Sequence, residues 1–217
     1  MVPWAGRIRH GRFSFRGRQL QMPIDMPPHA VHGVAYTRAW DVTSEADGQT
    51  TMECDLDQRW PFGGHVAHTI GLDDDGVDLR LRLTAGEQAM PFMLGWHPWF
   101  NRHIDGRAAD LQFDAESLWE LDDEGIPTGE LVPPGNGPWD DCMTGMRQSP
   151  GITWPRLLTL TVTSDMDQWV IFNERPNALC IEPQSAAPDV FNRELGDEHV
   201  LEPGEQATAT ARISWQR

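Results

Sequence analysis

The sequence predicts an all-β protein, an antiparallel β-sandwich in a single domain over residues 1–217, on three observations. Apolar residues recur at every second position in most segments, stripes of helical period are scarce, and clusters of Gly, Pro, Asp and Asn punctuate the chain. With 217 residues, 39% of them hydrophobic, and a mean hydropathy of -0.49, the chain suits a globular domain of ordinary core size and not a disordered one.

Taken in order, Phe13 and Phe15 alternate with polar neighbours and open the strand pattern. Arg7, Arg9, Arg12, Arg16 and Arg18 crowd the same region, and their interleaving with Ile8 and the two phenylalanines reads as the outer face of a strand pair. Pro61 to Gly64 and Asp73 to Gly76 are turns. Between Asp78 and Leu83, Leu79, Leu81 and Leu83 share one strand face and the charged residues the other. Residues 122–156, rich in Gly, Pro and Asp with little periodicity, read as a long excursion that carries function or covers a sheet face. Leu158, Leu160 and Val162 alternate with threonines, Trp169 to Phe172 suits a more fully buried strand, and Ala207 to Trp215 closes the pattern. No repeat and no linker long enough to divide the chain interrupts it.

Composition excludes several functions. The 17 basic residues face 33 acidic ones, a formal net charge of -16, so a nucleic-acid duplex is repelled and no nucleic-acid partner is expected. All the basic residues are arginine, and without a lysine neither Schiff-base chemistry, nor a pyridoxal-phosphate site, nor a Walker-type phosphate loop can be built. Cys54, Cys142 and Cys180 are too scattered for a disulfide scaffold or a Cys-rich zinc site. Charges stand where a signal peptide needs an apolar stretch, and no window approaches the roughly 20 apolar residues of a membrane span. The expected setting is cytoplasmic, with no membrane partner.

Ten tryptophans stand against one tyrosine, Tyr36. Indole faces stack on sugar rings as well as filling cores, and Trp40, Trp96 and Trp99, near histidines, are candidates to line a pocket. Two segments offer imidazoles that titrate near neutrality, His29-Ala-Val-His32-Gly33 and Gly95-Trp-His97-Pro-Trp99-Phe-Asn101. The pairs His29 and His32, and His65 and His68, have the spacing of metal ligands, but on a strand it sends the two rings to opposite faces, so no metal is expected. In a third segment Glu182 follows Leu179-Cys180-Ile181 at the end of an apolar strand that Pro183 is expected to stop. A carboxylate delivered to such a half-buried position is suited to act as a base.

The three segments, in this order, resemble the aldose 1-epimerase (galactose mutarotase) family, which carries a His-Gly motif, a later His-Pro aromatic motif and a Glu strand followed by Pro-Asp and Asn, here Pro188-Asp189 and Asn192. Pro3-Trp4-Ala5-Gly6-Arg7-Ile8 is similar to the family's Asn-Arg-Ile segment, with Gly6 in place of the Asn. The resemblance implies a galactose-mutarotase-like antiparallel β-supersandwich with its site in a cleft on one sheet. It implies reversible interconversion of the α and β anomers of a free aldohexose, a small-molecule sugar as partner, and no cofactor. Carried over by motif, His97 is the general acid and Glu182 the general base. Arg7 and His32 bind the sugar, the latter near its ring oxygen, and the acid that holds sugar hydroxyls falls on Asp140 or Asp141.

Family members usually carry several strands before the Arg-Ile segment, and here that segment begins close to Met1, so those strands are expected to be missing and the exposed strand edge to pair in a homodimer. A hexose-phosphate 1-epimerase is the close alternative, with Arg7, Arg38 and Arg102 available for phosphate. A non-catalytic sugar-binding or regulatory protein is another. A glycoside hydrolase pairing Asp140 or Asp141 with Glu182 suits the acidic count but leaves the histidines unexplained.

Overall fold

In the computed structural model, which describes residues 1–193 and 195–217, nearly every segment with period-two patterning is a strand. Four short strands open the chain: Arg7–Ile8 (β1), Arg12–Phe15 (β2), Arg18–Gln21 (β3) and Ala30–Val31 (β4). A four-strand meander follows, Asp41–Ala46 (β5), Gln49–Asp55 (β6), His65–Leu72 (β7) and Gly76–Thr84 (β8). Met90–Pro91 (β9), Trp99–Asn101 (β10), His103–Ile104 (β11) and Arg107–Ala108 (β12) are short. The long strands Asp110–Leu121 (β13) and Asp140–Trp154 (β15) flank Pro127–Val132 (β14). Leu158–Ser164 (β16), Gln168–Phe172 (β17), Ala178–Gln184 (β18), Val200–Leu201 (β19) and Gln206–Gln216 (β20) complete the chain. The helices are single turns, such as Ala35–Thr37 and Val190–Asn192.

Twelve strands form one antiparallel sheet, and its organising element is β15. It pairs with β13 along most of its length, with β17 through Asp140–Thr144 and with β16 through Gly151–Trp154. Two arms therefore leave the same strand, one running β17, β18, β10 and the other β16, β20, β8, β7, β6, β5. The expected excursion at 122–156 is corrected here: most of it is β14 and β15. Its periodicity was obscured because a register shift and Gly145, at φ +67°, interrupt the alternation where β15 faces β13.

The apolar side chains of the sheet fall into two main cores. Leu81 and Leu83 of β8 and Ala209 and Ala211 of β20 pack with Trp4, Phe13, Trp60 and Phe191. Ile152, Leu160, Val162, Trp169, Ile171, Leu179 and Ile181 fill the other. Leu179 and Ile181 point into that core, so Cys180, Glu182 and Gln184 of the same strand point to the opposite face.

The edge strand β5 is exposed along its whole length and carries Asp41 and Glu45, acidic side chains of the kind that blunt sheet edges. None of the helices among the described residues is long and apolar enough to cross a membrane.

Ile181 is fully buried beneath the strand that carries Glu182. Ile181→Ala is expected to lower unfolding free energy by about 2–5 kcal/mol in urea denaturation, through lost transfer energy and the cavity left behind.

Candidate active site

A cleft open to solvent lies on the face of β18 opposite the Ile181 core. Glu182 is presented at its floor, only 2% exposed. Pro183 does not stop the ladder as expected, since β18 runs to Gln184 and the Pro183 carbonyl accepts the Trp96 N–H at 3.1 Å. That bond, with Leu94 N–H donating to Ser185 Oγ at 2.9 Å and Ser185 N–H to the Leu94 carbonyl at 2.8 Å, straps the segment before β10 across the end of β18. His97 is thereby set beside Glu182, its Nδ1 3.2 Å from Oε1 in a contact whose geometry makes no hydrogen bond. Trp99 stacks on His97 at 5.1 Å and lines the cleft wall.

His32 arrives from the other side, its ring edge-on to His97 at 4.9 Å. The His-Gly pair has a mechanical reason: Gly33, at φ +77°, lies so close to the chain that an added Cβ would sit 1.9 Å from the Val2 carbonyl oxygen. His32 itself is left-handed at φ +64°, and its N–H donates to the Gly6 carbonyl at 2.9 Å. Beside it Arg7, on β1, donates from Nη2 to Asp140 Oδ2 at 2.8 Å and from Nη1 to the Gly125 carbonyl at 3.0 Å. Asp140 and Asp141 are separated by strand alternation, and Asp140 is the one that lines the cleft.

The Pro188-Asp189 and Asn192 motif holds the frame. Asp189 Oδ1 accepts the Arg9 N–H and the Asn192 amide, each at 2.8 Å, while the Asp189 N–H donates to the Arg7 carbonyl at 2.8 Å. Arg9 also pairs with Asp122 and Glu124, tying the β13–β14 turn to the same segment. His29 serves this frame, accepting the His10 N–H at Nδ1 at 3.1 Å and lying 3.0 Å from the Glu124 carbonyl at Nε2.

The structure brings Arg7, His32, His97, Asp140 and Glu182 together and corrects Trp40. Trp40 packs outside the cleft, 6.4 Å from His68, with Nε1 donating to the Ala35 carbonyl at 3.0 Å. Trp96 is likewise buried away from the cleft, donating to His68 Nε2 at 3.1 Å. Proximity in sequence to a histidine carries no information about which side of the chain an indole takes. Gln184 and Arg175 line the cleft without having been singled out. The signal for Gln184 was its i+2 spacing from Glu182, masked by the expected break at Pro183. Of the histidine pairs, His65 contacts Asp55 and Glu53 away from His68. The one group of three metal-capable side chains among the described residues is His97, Cys180 and Glu182.

Burial dominates the electrostatics. It pushes the Glu182 carboxyl well above the usual carboxylate range, and nearby Asp140 adds to the shift. It also pulls His97 down to about 4 and His32 down to about 3, the latter helped by His97.

A family model described as aldose 1-epimerase matches residues 1–150. The chain belongs to the aldose 1-epimerase family. It is 26% identical over 245 residues to the uncharacterized protein YphB of Escherichia coli K12, covering 99% of this chain and 83% of YphB. Human galactose mutarotase is 28% identical over 142 residues, 59% of this chain and 40% of the human protein. A solved structure from Escherichia coli K12 superposes with a TM-score of 0.86 at 23% identity, covering 99% of this chain and 82% of that one, and so shares the mutarotase-like fold.

Because His32 and His97 bind protons more weakly folded than unfolded, stability that is present above their unfolded value of 6.5 is lost as pH falls toward about 4 and then 3. Thermal midpoints measured from pH 7 to pH 4 are expected to fall accordingly. Imidazole resonances of both residues should remain in the neutral form through pH 5.

Proposed function

We propose that this cleft interconverts the α and β anomers of a free aldohexose, with Glu182 as general base and His97 as general acid. The observation that carries the reading is the 3.2 Å approach of these two side chains inside one buried cleft. Opening a hemiacetal requires a base for the anomeric O–H proton and an acid for the ring oxygen. The two oxygens share one carbon, so their catalysts must converge as these do. His97 Nδ1 is buried against Glu182, which leaves Nε2 for the ring oxygen.

The displaced proton affinities suit a reversible exchange. Opening converts carboxylate and imidazolium into carboxyl and neutral imidazole, and reclosure after rotation about C1–C2 reverses both transfers. Burial favours the uncharged pair, so carboxyl and neutral imidazole are the resting form and the ion pair that ring opening consumes costs energy to reach. Each positioned group contributes about 10²–10⁴ in rate, or about 3–5 kcal/mol, and no covalent intermediate is required. Arg7 and Asp140, each holding the other, present a donor and an acceptor to sugar hydroxyls, and His32 supplies a neutral imidazole beside His97. Trp99, stacked on His97, lines the cleft wall beside them.

A phosphorylated hexose is a second reading, favoured by one cation. Arg38 is paired with Asp57, Arg7 with Asp140, and Arg102 with the carbonyls of Asn173 and Arg175. Arg175 lines the cleft and lies over Trp99 at 4.8 Å, and among the described residues its guanidinium has no carboxylate partner. Dimerisation through an exposed strand edge belongs to the same set of proposals, and light scattering at micromolar concentration decides it: a monomer rejects it.

Polarimetry of freshly dissolved α-D-glucose and α-D-galactose is expected to show accelerated mutarotation, reduced about 10²–10⁴-fold in Glu182→Gln and in His97→Asn with sugar binding retained. Retained activity in Glu182→Gln rejects the assignment, and a folded protein that binds sugar without acceleration has a binding role instead. A 6-phosphate turned over faster than the free hexose, with the advantage lost in Arg175→Ala, selects the second reading. The pair carries one proton in its working form, so activity should hold across neutral pH. It should fall on the acid side as His97 takes up a proton near pH 4 beside an already protonated Glu182, and on the alkaline side as Glu182 releases its proton.

A further inference from the structure

We propose that His97, Cys180 and Glu182 form a binding site for zinc or a similarly soft divalent ion, and that the bound ion inhibits the cleft by occupying its acid and its base. The inhibitory consequence rests on the acid–base reading of these residues, whereas the binding itself does not.

Strand alternation puts Cys180 and Glu182 on one face of β18, and the pairing of Trp99 with Cys180 brings His97, two residues earlier, over the same face. A ring nitrogen of His97, Sγ of Cys180 and a carboxylate oxygen of Glu182 all lie within 4.8 Å of one another. Tetrahedral zinc, with bonds of about 2.0–2.1 Å to N and O and about 2.3 Å to S, sets its ligand atoms about 3.3–3.6 Å apart. The Nδ1–Oε1 separation of 3.2 Å is close to one such edge. The donors are also unemployed: His97 Nδ1 is buried with no hydrogen-bond partner, and Cys180 is a free, buried thiol. Cys142, the cysteine that lines the cleft, lies instead against Gln168 and is outside the group.

Charge selects the ion. One thiolate and one carboxylate with a neutral imidazole cancel a dication, so the complex buries no net charge. Burial raises the proton affinity of both the Cys180 thiol and the Glu182 carboxyl. Binding must displace the protons these ligands hold, so affinity should rise with pH. A sulfur and nitrogen donor set favours zinc, cobalt and cadmium over magnesium and calcium.

Titration of the purified protein with cobalt(II) tests binding directly. The expected result is one equivalent bound with a near-ultraviolet thiolate-to-cobalt charge-transfer band, absent in Cys180→Ala and Cys180→Ser and present in Cys142→Ser. Zinc should displace the cobalt and slow anomer exchange reversibly by chelator, and Cys180→Ala should keep turnover while losing at least about tenfold in zinc sensitivity. Absence of the band in the parent protein, its survival in the folded Cys180 variants, or equal zinc inhibition of parent and variants overturns the proposal. The cobalt band reads binding whether or not the protein turns over a sugar, so failure of this site and failure of the epimerase reading give different results.

Discussion

A carboxyl group kept almost entirely from water on the inner wall of a sheet is the constraint on which the site depends. Glu182 reaches that position because β18 alternates, sending Leu179 and Ile181 into one core and Glu182 and Gln184 into the cleft. The arrangement carries an unfavourable electrostatic term, since burial resists the charged form of both Glu182 and His97. Packing of Leu179 and Ile181 beneath the strand opposes it.

The rest of the site hangs on backbone ties that cross long sequence distances. Pro183, Leu94 and Ser185 strap the His97 segment to β18, and Asp189 reaches back to Arg7, Arg9 and Asn192. Glycine at position 33 lets the His32 turn press against Val2. These ties explain why motif residues with no direct chemistry accompany the ones that have it: Gly33, Asp189 and Asn192 fix where His32 and Arg7 stand. Side chains held by several such bonds need little reorganisation when a substrate arrives.

The twelve-stranded sheet and its forked strand β15 place three widely separated segments on one wall. β15 delivers Asp140 at its start, β18 delivers Glu182, and the approach to β10 delivers His97. Arg7 and His32 close the cleft from the opposite side through the small β1–β4 pair. Membership of the aldose 1-epimerase family agrees with this layout.

The sequence alone determined the class of fold, because period-two burial is a local property of strands such as β8, β16 and β20 and requires no knowledge of partners. It also carried the His32, His97 and Glu182 motifs, whose residue types and order resemble those of the family. Tertiary structure decided what depends on through-space direction. It chose Asp140 over Asp141, removed Trp40 and Trp96 from the cleft, and added Gln184 and Arg175. It turned the irregular stretch after residue 122 into the strand where the sheet divides, because a bulge and glycines hide a strand's period without preventing its pairing. Which face of a strand meets solvent, and which distant segment lies across it, is set by the packing of both cores together, and no local window of sequence contains that information.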